Sequence, residues 1–289
     1  MRLLALLPAG LLLALAASAQ PTGAPQARFD LCDYRLVWAD EFNDASIGNW
    51  KLNGRRWIAH TPWAGDFGDA RFADPGPAGP FAIRDGRLTI TARKDRSGKW
   101  TSGLIAAADE TGTGAGLRYG YFEARLKLPP GAGTWPAFWL MSRKPRHDPR
   151  PSVEIDGLEY YGHDPAAYQV AVHVQFKPPH EKRNRGAGKR IPVTTGSLTS
   201  RFVTIGIAVT PSQVMFLQDH VPVWAAPTPR ELDTPLFPIV DLALGSGYPI
   251  SKTPSPSTME VDYVRIYAPA PGHRGGCQGS GQRPAAKRP

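Results

Sequence analysis

The feature that most constrains this sequence is a two-residue period, repeated in short runs and broken by Gly, Pro and Asp-Gly turns. In residues 121–128, Phe122, Ala124, Leu126 and Leu128 share one face, while Tyr121, Glu123, Arg125 and Lys127 share the other. In residues 135–141, Phe138 and Leu140 alternate with Trp135, Ala137, Trp139 and Met141. Val170, Val172, Val174 and Phe176 alternate with His173 and Gln175, and Val203, Ile205, Ile207 and Val209 form another ladder. Successive side chains of a strand point to opposite faces, so such runs read as half-buried strands. Residues 88–92 after Asp85-Gly86, 214–217 before Asp219-His220, 238–244 and 259–267 extend the series. No amphipathic helices separate the strands, which disfavours a parallel βαβ architecture. The pattern predicts an all-β sandwich of two antiparallel sheets.

One run carries chemistry. In residues 153–159, Val-Glu-Ile-Asp-Gly-Leu-Glu, Val153 and Ile155 can face the core while Glu154 and Asp156 point out together. Strict alternation would then turn Leu158 outward and Glu159 inward. A one-residue bulge near Gly157 reverses this, sending Leu158 to the core and Glu159 beside the other acids. Carboxyls crowded on one strand repel, and repulsion with partial burial raises the pKa of at least one. Retaining glycoside hydrolysis needs such a pair about 5–5.5 Å apart, one ionised as nucleophile and one protonated as acid. The two glutamates start about 15 Å apart by strand rise and must converge over Asp156. A solvated acidic edge is the plain alternative. A cation site fits less well, because acids strung along a strand do not wrap an ion as loop oxygens do.

The flanks bound location. Residues 1–19 read as a signal peptide: Arg2, an apolar stretch interrupted by Pro8 and Gly10, then Ala17-Ser18-Ala19. Residues 20–30 read as a flexible lead, 31–269 as one domain, and 270–289 as a disordered basic tail. A secreted or periplasmic protein is expected, with no stable membrane insertion. Export permits a disulfide between Cys32 and Cys277; two free thiols are the alternative. The net charge is +9, but more than half of it lies on Arg2, Arg274, Arg283, Lys287 and Arg288 outside the domain. Nothing resembles a nucleic-acid-binding motif, and a monomer is expected.

At this point the residues resemble a known family, glycoside hydrolase family 16, the laminarinase and lichenase group of endo-β-glucanases. Residues 154–159 fit its bulged ExDxxE signature. Trp38-Ala39-Asp40-Glu41-Phe42 resembles its opening strand. Residues 119–125 and 133–140 precede the acidic strand in the family's order, and 242–245 with 259–267 resemble its closing strands. The resemblance implies a concanavalin-like jelly roll with an open concave cleft. It implies Glu154 as nucleophile, Glu159 as acid/base and Asp156 as their electrostatic helper, with no cofactor needed for catalysis. It also offers Glu41, Gly86 and Asp262 as the place of a structural calcium. Three positions depart from the family pattern: Leu104 stands where an Arg is common, the usual Asn before the Asp85-Gly86 turn is not obvious, and Asp241 opens the block that usually reads Asn-Leu-Ala.

Around the acids, Trp135 and Trp139 share the face opposite Phe138 and Leu140, so they are candidate sugar-stacking residues, the apolar C–H face of a sugar suiting an aromatic plane. His173 and Gln175 share one face and are candidate hydrogen-bonding residues, His173 reaching either a hydroxyl or Asp156. Trp63, in a Gly-rich loop, and Tyr161 are candidate rim residues; Trp57 and Trp100 are weaker ones. Residues 177–190 hold six basic side chains and read either as a rim for an anionic glycan or as a solvated loop. The reading is a retaining endo-acting hydrolase of β-1,3- or β-1,3-1,4-glucan. The alternatives are action on another, anionic, polysaccharide, transglycosylation, a lectin-like sandwich, and envelope binding through the basic tail.

Overall fold

The structure, a computed structural model, describes residues 28–270. The leader at 1–19, most of the lead and the tail with Cys277 lie outside the described residues. In chain order the strands are β1 (Tyr34–Asp40), β2 (Ile47–Gly48), β3 (Trp57–Ile58), β4 (Arg71–Phe72), β5 (Phe81–Arg84), β6 (Arg87–Lys94), β7 (Trp100–Ser102), β8 (Leu104–Ala106), β9 (Gly120–Lys127), β10 (Thr134–Ser142), β11 (Ser152–Glu159), β12 (Ala167–Gln175), β13 (Arg185–Pro192), β14 (Val203–Val209), β15 (Gln213–Gln218), β16 (Val221–Pro227), β17 (Leu236–Leu244) and β18 (Ser257–Pro269). The helix α1 (Ser197–Ser200) is one turn long.

The order β16-β15-β14-β9-β18-β6-β7-β4, with β1 on β18 and β5 on β6, makes a ten-stranded sheet. The order β13-β12-β11-β10-β17-β8-β3-β2 makes an eight-stranded one. The expected two-sheet sandwich is present, but its sheets are mixed rather than wholly antiparallel. The exceptions sit at one end of each sheet, where β2 pairs with β3 and β4 with β7 in parallel. These strands are only two or three residues long, and β2, β3 and β4 arrive from loops, so no hairpin fixes their direction.

The core fills the space between the sheets. Leu88, Ile90, Phe122, Ala124, Val203, Ile205 and Ile207 of one sheet meet Phe138, Leu140, Val153, Ile155, Leu158, Val172 and Val240 of the other. Each such side chain removed from water contributes about 1.5–3 kcal/mol. A second cluster, including Leu52, Phe72, Leu104, Trp139 and Phe237, lies on the outer face of the eight-stranded sheet. It leaves a cleft over β10, β11 and β17, lined further by loop residues and by Gln175 of β12.

Three expectations change. Residues 185–190 are part of edge strand β13, not a loop; every residue of it but Ile191 is exposed, so no apolar period marks it. The lead is docked by residue 29, where the Phe29 N–H donates to the His220 carbonyl at 2.7 Å and its ring packs on Tyr34 and Tyr121. Trp57 and Trp100 are core residues far from any sugar-facing role. Cys32 is disulfide-bonded.

The proposed calcium set does not fit a cation. Both Glu41 oxygens accept from the Arg265 guanidinium at 2.7 and 3.0 Å. Asp262 accepts from Arg125 at 2.5 Å and faces Arg87 at 3.8 Å. Arginines already neutralise these acids, and a calcium ion needs several converging oxygens. Gly86 instead shapes the backbone, taking positive φ together with Asp85 in the two-residue turn that joins β5 to β6.

Candidate active site

Strand β11 builds the site through one irregularity. Ile155 and Asp156 pair with Leu140 and Trp139 on β10, but Leu158 pairs with Phe138, leaving Gly157 as an extra residue. On the other side Asp156 faces Ala171 of β12 and Glu159 faces Gln169, three residues against two. Only glycine suits the bulge: a Cβ there would stand 2.7 Å from Ile207 Cδ1 of the opposing sheet and 3.2 Å from the Phe138 carbonyl oxygen. The extra residue drops Leu158 into the core and turns Glu159 to the face that carries Glu154 and Asp156.

All three acids line one cleft of about 530 Å³, together with Trp63, Trp135, Trp139 and Gln175. Gln175 Nε2 donates to Glu154 Oε2 at 3.0 Å. Trp135 Nε1 and the Tyr161 hydroxyl both donate to Glu159 Oε1, each at 3.2 Å. Both donors take the same oxygen of Glu159, Oε1. His173 Nε2 lies 3.4 Å from Asp156 Oδ2, and Glu154, Asp156 and His173 each offer an atom within 4.8 Å of the others. Gly186 on β13 gives His173 its room, since a Cβ there would fall 2.3 Å from Nδ1.

The candidate aromatic residues divide. Trp135 is half-buried and stacks on Tyr161 with centroids 5.9 Å apart, forming a wall beside Glu159. Trp63 is 37% exposed and leans over Trp139. Trp139 is nearly covered by its neighbours; its indole N–H donates to Asp241 Oδ1 at 2.8 Å, so it shapes the cleft more than it offers stacking surface.

Asp241 is the acid that sequence reasoning noted but did not place in the site. It lies fully buried on β17 beneath the cleft and accepts from Trp139 and from the Ala243 N–H. Its cross-strand neighbour is Leu104, so two of the departures from the family pattern sit side by side. Of the basic segment, Lys177 reaches the cleft, joined by Lys144 and Arg146. Both lysine ammonium groups are spent on backbone carbonyls: those of Arg150 and Pro151 for Lys144, and those of Arg146 and Asp148 for Lys177.

The electrostatics follow from burying four acids together. Burial first, and the charge of Glu159 second, push Glu154 up to about 7, with the Gln175 hydrogen bond opposing. Asp156 is raised well above the usual carboxylate range by burial and by Glu154, Glu159 and Asp241. Burial pushes Asp241 up to about 8 despite its two hydrogen bonds. Burial and the neighbouring acids thus favour the protonated form of Asp156. Two glutamates that line one cleft with an aspartate between them, one of them poised near neutrality, form the kind of arrangement a two-acid glycosidase uses.

The comparisons agree with that class. The family profile of Glycosyl hydrolases family 16 matches residues 79–265. The chain belongs to this family. It is 28% identical over 82% of its length to the endo-1,3-1,4-β-glycanase EglC of Rhizobium meliloti (strain 1021), covering 47% of that protein. It is also 28% identical over 80% of its length to a glucan endo-1,3-β-glucosidase of Cryptopygus antarcticus, covering 90% of it. Among solved structures it resembles SCLam, a non-specific endo-β-1,3(4)-glucanase, with TM-score 0.65 and 27% identity, covering 85% of this chain and 98% of that one. That SCLam structure is of a glutamate-to-serine mutant and holds 1,3-β-D-cellobiosyl-glucose at its active site. The chain spans about half the length of the Rhizobium relative.

Proposed function

We propose that this chain is a retaining, endo-acting hydrolase of β-1,3- or β-1,3-1,4-glucan. Glu154 attacks the anomeric carbon while Glu159 delivers its proton to the departing glycosidic oxygen. Glu159 then takes a proton from water, which releases the glycosyl group from Glu154. Glu154 recovers its negative charge from the electron pair of the breaking glycosyl–oxygen bond, and the enclosed Asp156 sits between the two glutamates and modulates that charge. Trp135 and Tyr161 hold Glu159 and offer stacking surface beside it; Gln175 steadies the ionised Glu154.

The observation that carries this reading is the Gly157 bulge, which gives both glutamates one cleft face. A cleft open to solvent rather than an enclosed cavity suits a chain interior. The relatives named as glucanases support the glucan assignment. The leader pattern and the oxidised state of Cys32 support work outside the cytoplasm. Product analysis across β-1,3-, mixed-linked and anionic polysaccharides tests the reading. Release of short gluco-oligosaccharides is expected; release only from a sulfated or uronic polymer would move the substrate while leaving the chemistry.

A further inference from the structure

The cleft is not the only place where an aromatic ring is held out to solvent. Trp50 is 45% exposed, although it sits in a firmly fixed loop. The Ala59 N–H donates to the carbonyls of Gly48 and Asn49, the Arg55 N–H donates to the Leu52 carbonyl, and Leu52 itself is buried in the cluster behind the cleft. Gly48 allows the tight return, since a Cβ there would lie 2.5 Å from the Lys51 carbonyl oxygen. Exposure of Trp50 is therefore a property of the fold and not of a loose segment.

The ring is also oriented. One face of the indole lies flat on His60, with centroids 3.8 Å apart and planes 5° from parallel. His60 is buried and fixed by Asp74, 2.9 Å from its Nε2. Trp50 also lines a surface recess of about 610 Å³ together with Asn49, Lys51, Asn53 and Arg55. This recess shares no residue with the catalytic cleft.

We infer that this recess is a second glycan-binding site, which docks a distant stretch of the same β-glucan that the cleft cuts; the glucan identity rests on the function proposed above. The chemistry selects a sugar over a protein partner. A pyranose offers one apolar C–H face to a planar ring and hydroxyls at its edge, and here one ring is framed by two amides and two cations. A protein interface would bring a broader apolar centre than a single indole. The ring is held before the ligand arrives, so little ordering cost opposes binding. The site lies just after β2, the edge strand of the sheet that floors the cleft.

Two measurements test this. Retention on particulate β-1,3-glucan is read in a Glu154→Gln background, with Trp50→Ala added. Turnover of a short soluble β-1,3-gluco-oligosaccharide is read in the active protein, native and Trp50→Ala. Trp50→Ala is expected to weaken retention about tenfold, the size of one lost aromatic stack, with oligosaccharide turnover unchanged. Asn49→Ala, an exposed side chain whose backbone bond to Ala59 persists, is a second variant insensitive to any loosening around His60, and it should weaken retention in the same direction. Both variants retained as strongly as the parent would overturn the second site alone. A native chain that cleaves neither β-1,3- nor mixed-linked gluco-oligosaccharides would overturn the glucanase reading and this proposal with it.

Discussion

Glu154 is asked to be an anion in a place that resists anions. Its carboxyl is pushed up to about 7 by burial and by Glu159, so protonation would disable the proposed nucleophile as pH falls. The rate at low substrate should drop about tenfold per unit well below pH 7. Gln175→Ala removes the one hydrogen bond that opposes the rise, and should move this acid limb to higher pH; a pH–rate profile of the two proteins checks the sign. Asp241 makes a separate prediction about stability. The folded state keeps its proton up to about pH 8, whereas the unfolded chain releases it in the ordinary carboxylate range. The proton is fully present in both states only below that range, and stability declines as pH rises through the window, by up to about 1.4 kcal/mol per unit from this group. Asp241→Asn removes that share, so denaturation midpoints between pH 5 and 8 should fall less steeply than in the parent. Asp241 was hard to place from sequence because β17 is buried along its whole length, on both faces. Alternation then assigns no side, and a lone acid in an apolar run does not announce what lies above it.

The element that matters most is β11, and its most sensitive residue carries no side chain. Gly157→Ala would press a methyl group against Ile207 and the Phe138 carbonyl, at an expected cost of about 1–3 kcal/mol. It should also depress turnover, because relief of the clash moves the bulge that aims Glu159. Urea titration and activity measured on the same preparation separate the two effects. The bulge was legible because the residue pattern was self-contradictory without it: Leu158 cannot face water while Glu159 enters a core. Long strands such as β9, β10, β12 and β14 were legible because branched and apolar residues recur every second position facing the main core, although the structure covers most of the other face as well. Strand β13 was not, because an edge strand exposed on both faces has no such recurrence. The two-residue strands β2, β3 and β4 are too short for any period, and the pairing partners that define them lie elsewhere in the chain. Trp57 and Trp100 stood in polar surroundings in the sequence yet pack into the core, since local neighbours do not reveal what covers a large ring.

At the scale of the molecule, the sandwich separates stability from chemistry. The main core lies between the sheets, while the acids and aromatic rings work on the outer face of the eight-stranded sheet. Changes on that face should therefore alter substrate handling more than folding. Trp135→Ala removes a half-buried ring and one of the two donors to Glu159; it should raise KM and lower kcat, with a shift in Tm smaller than that of Leu158→Ala, which opens the core at about 2–5 kcal/mol. The opposite ranking in thermal melts would mean that the cleft face is part of the structural core. The position of the cleft on an exterior sheet face also lets four acids crowd there, because they do not interrupt the core between the sheets.

The most direct test of the account is to trap the glycosyl-enzyme. A 2-deoxy-2-fluoro β-gluco-oligosaccharide with a good leaving group forms the covalent species faster than water resolves it, and peptide mass spectrometry then locates the label. The account predicts a single labelled residue, Glu154, with none on Asp156 or Glu159. A label on Glu159, or no covalent species together with release of an inverted product, would contradict it.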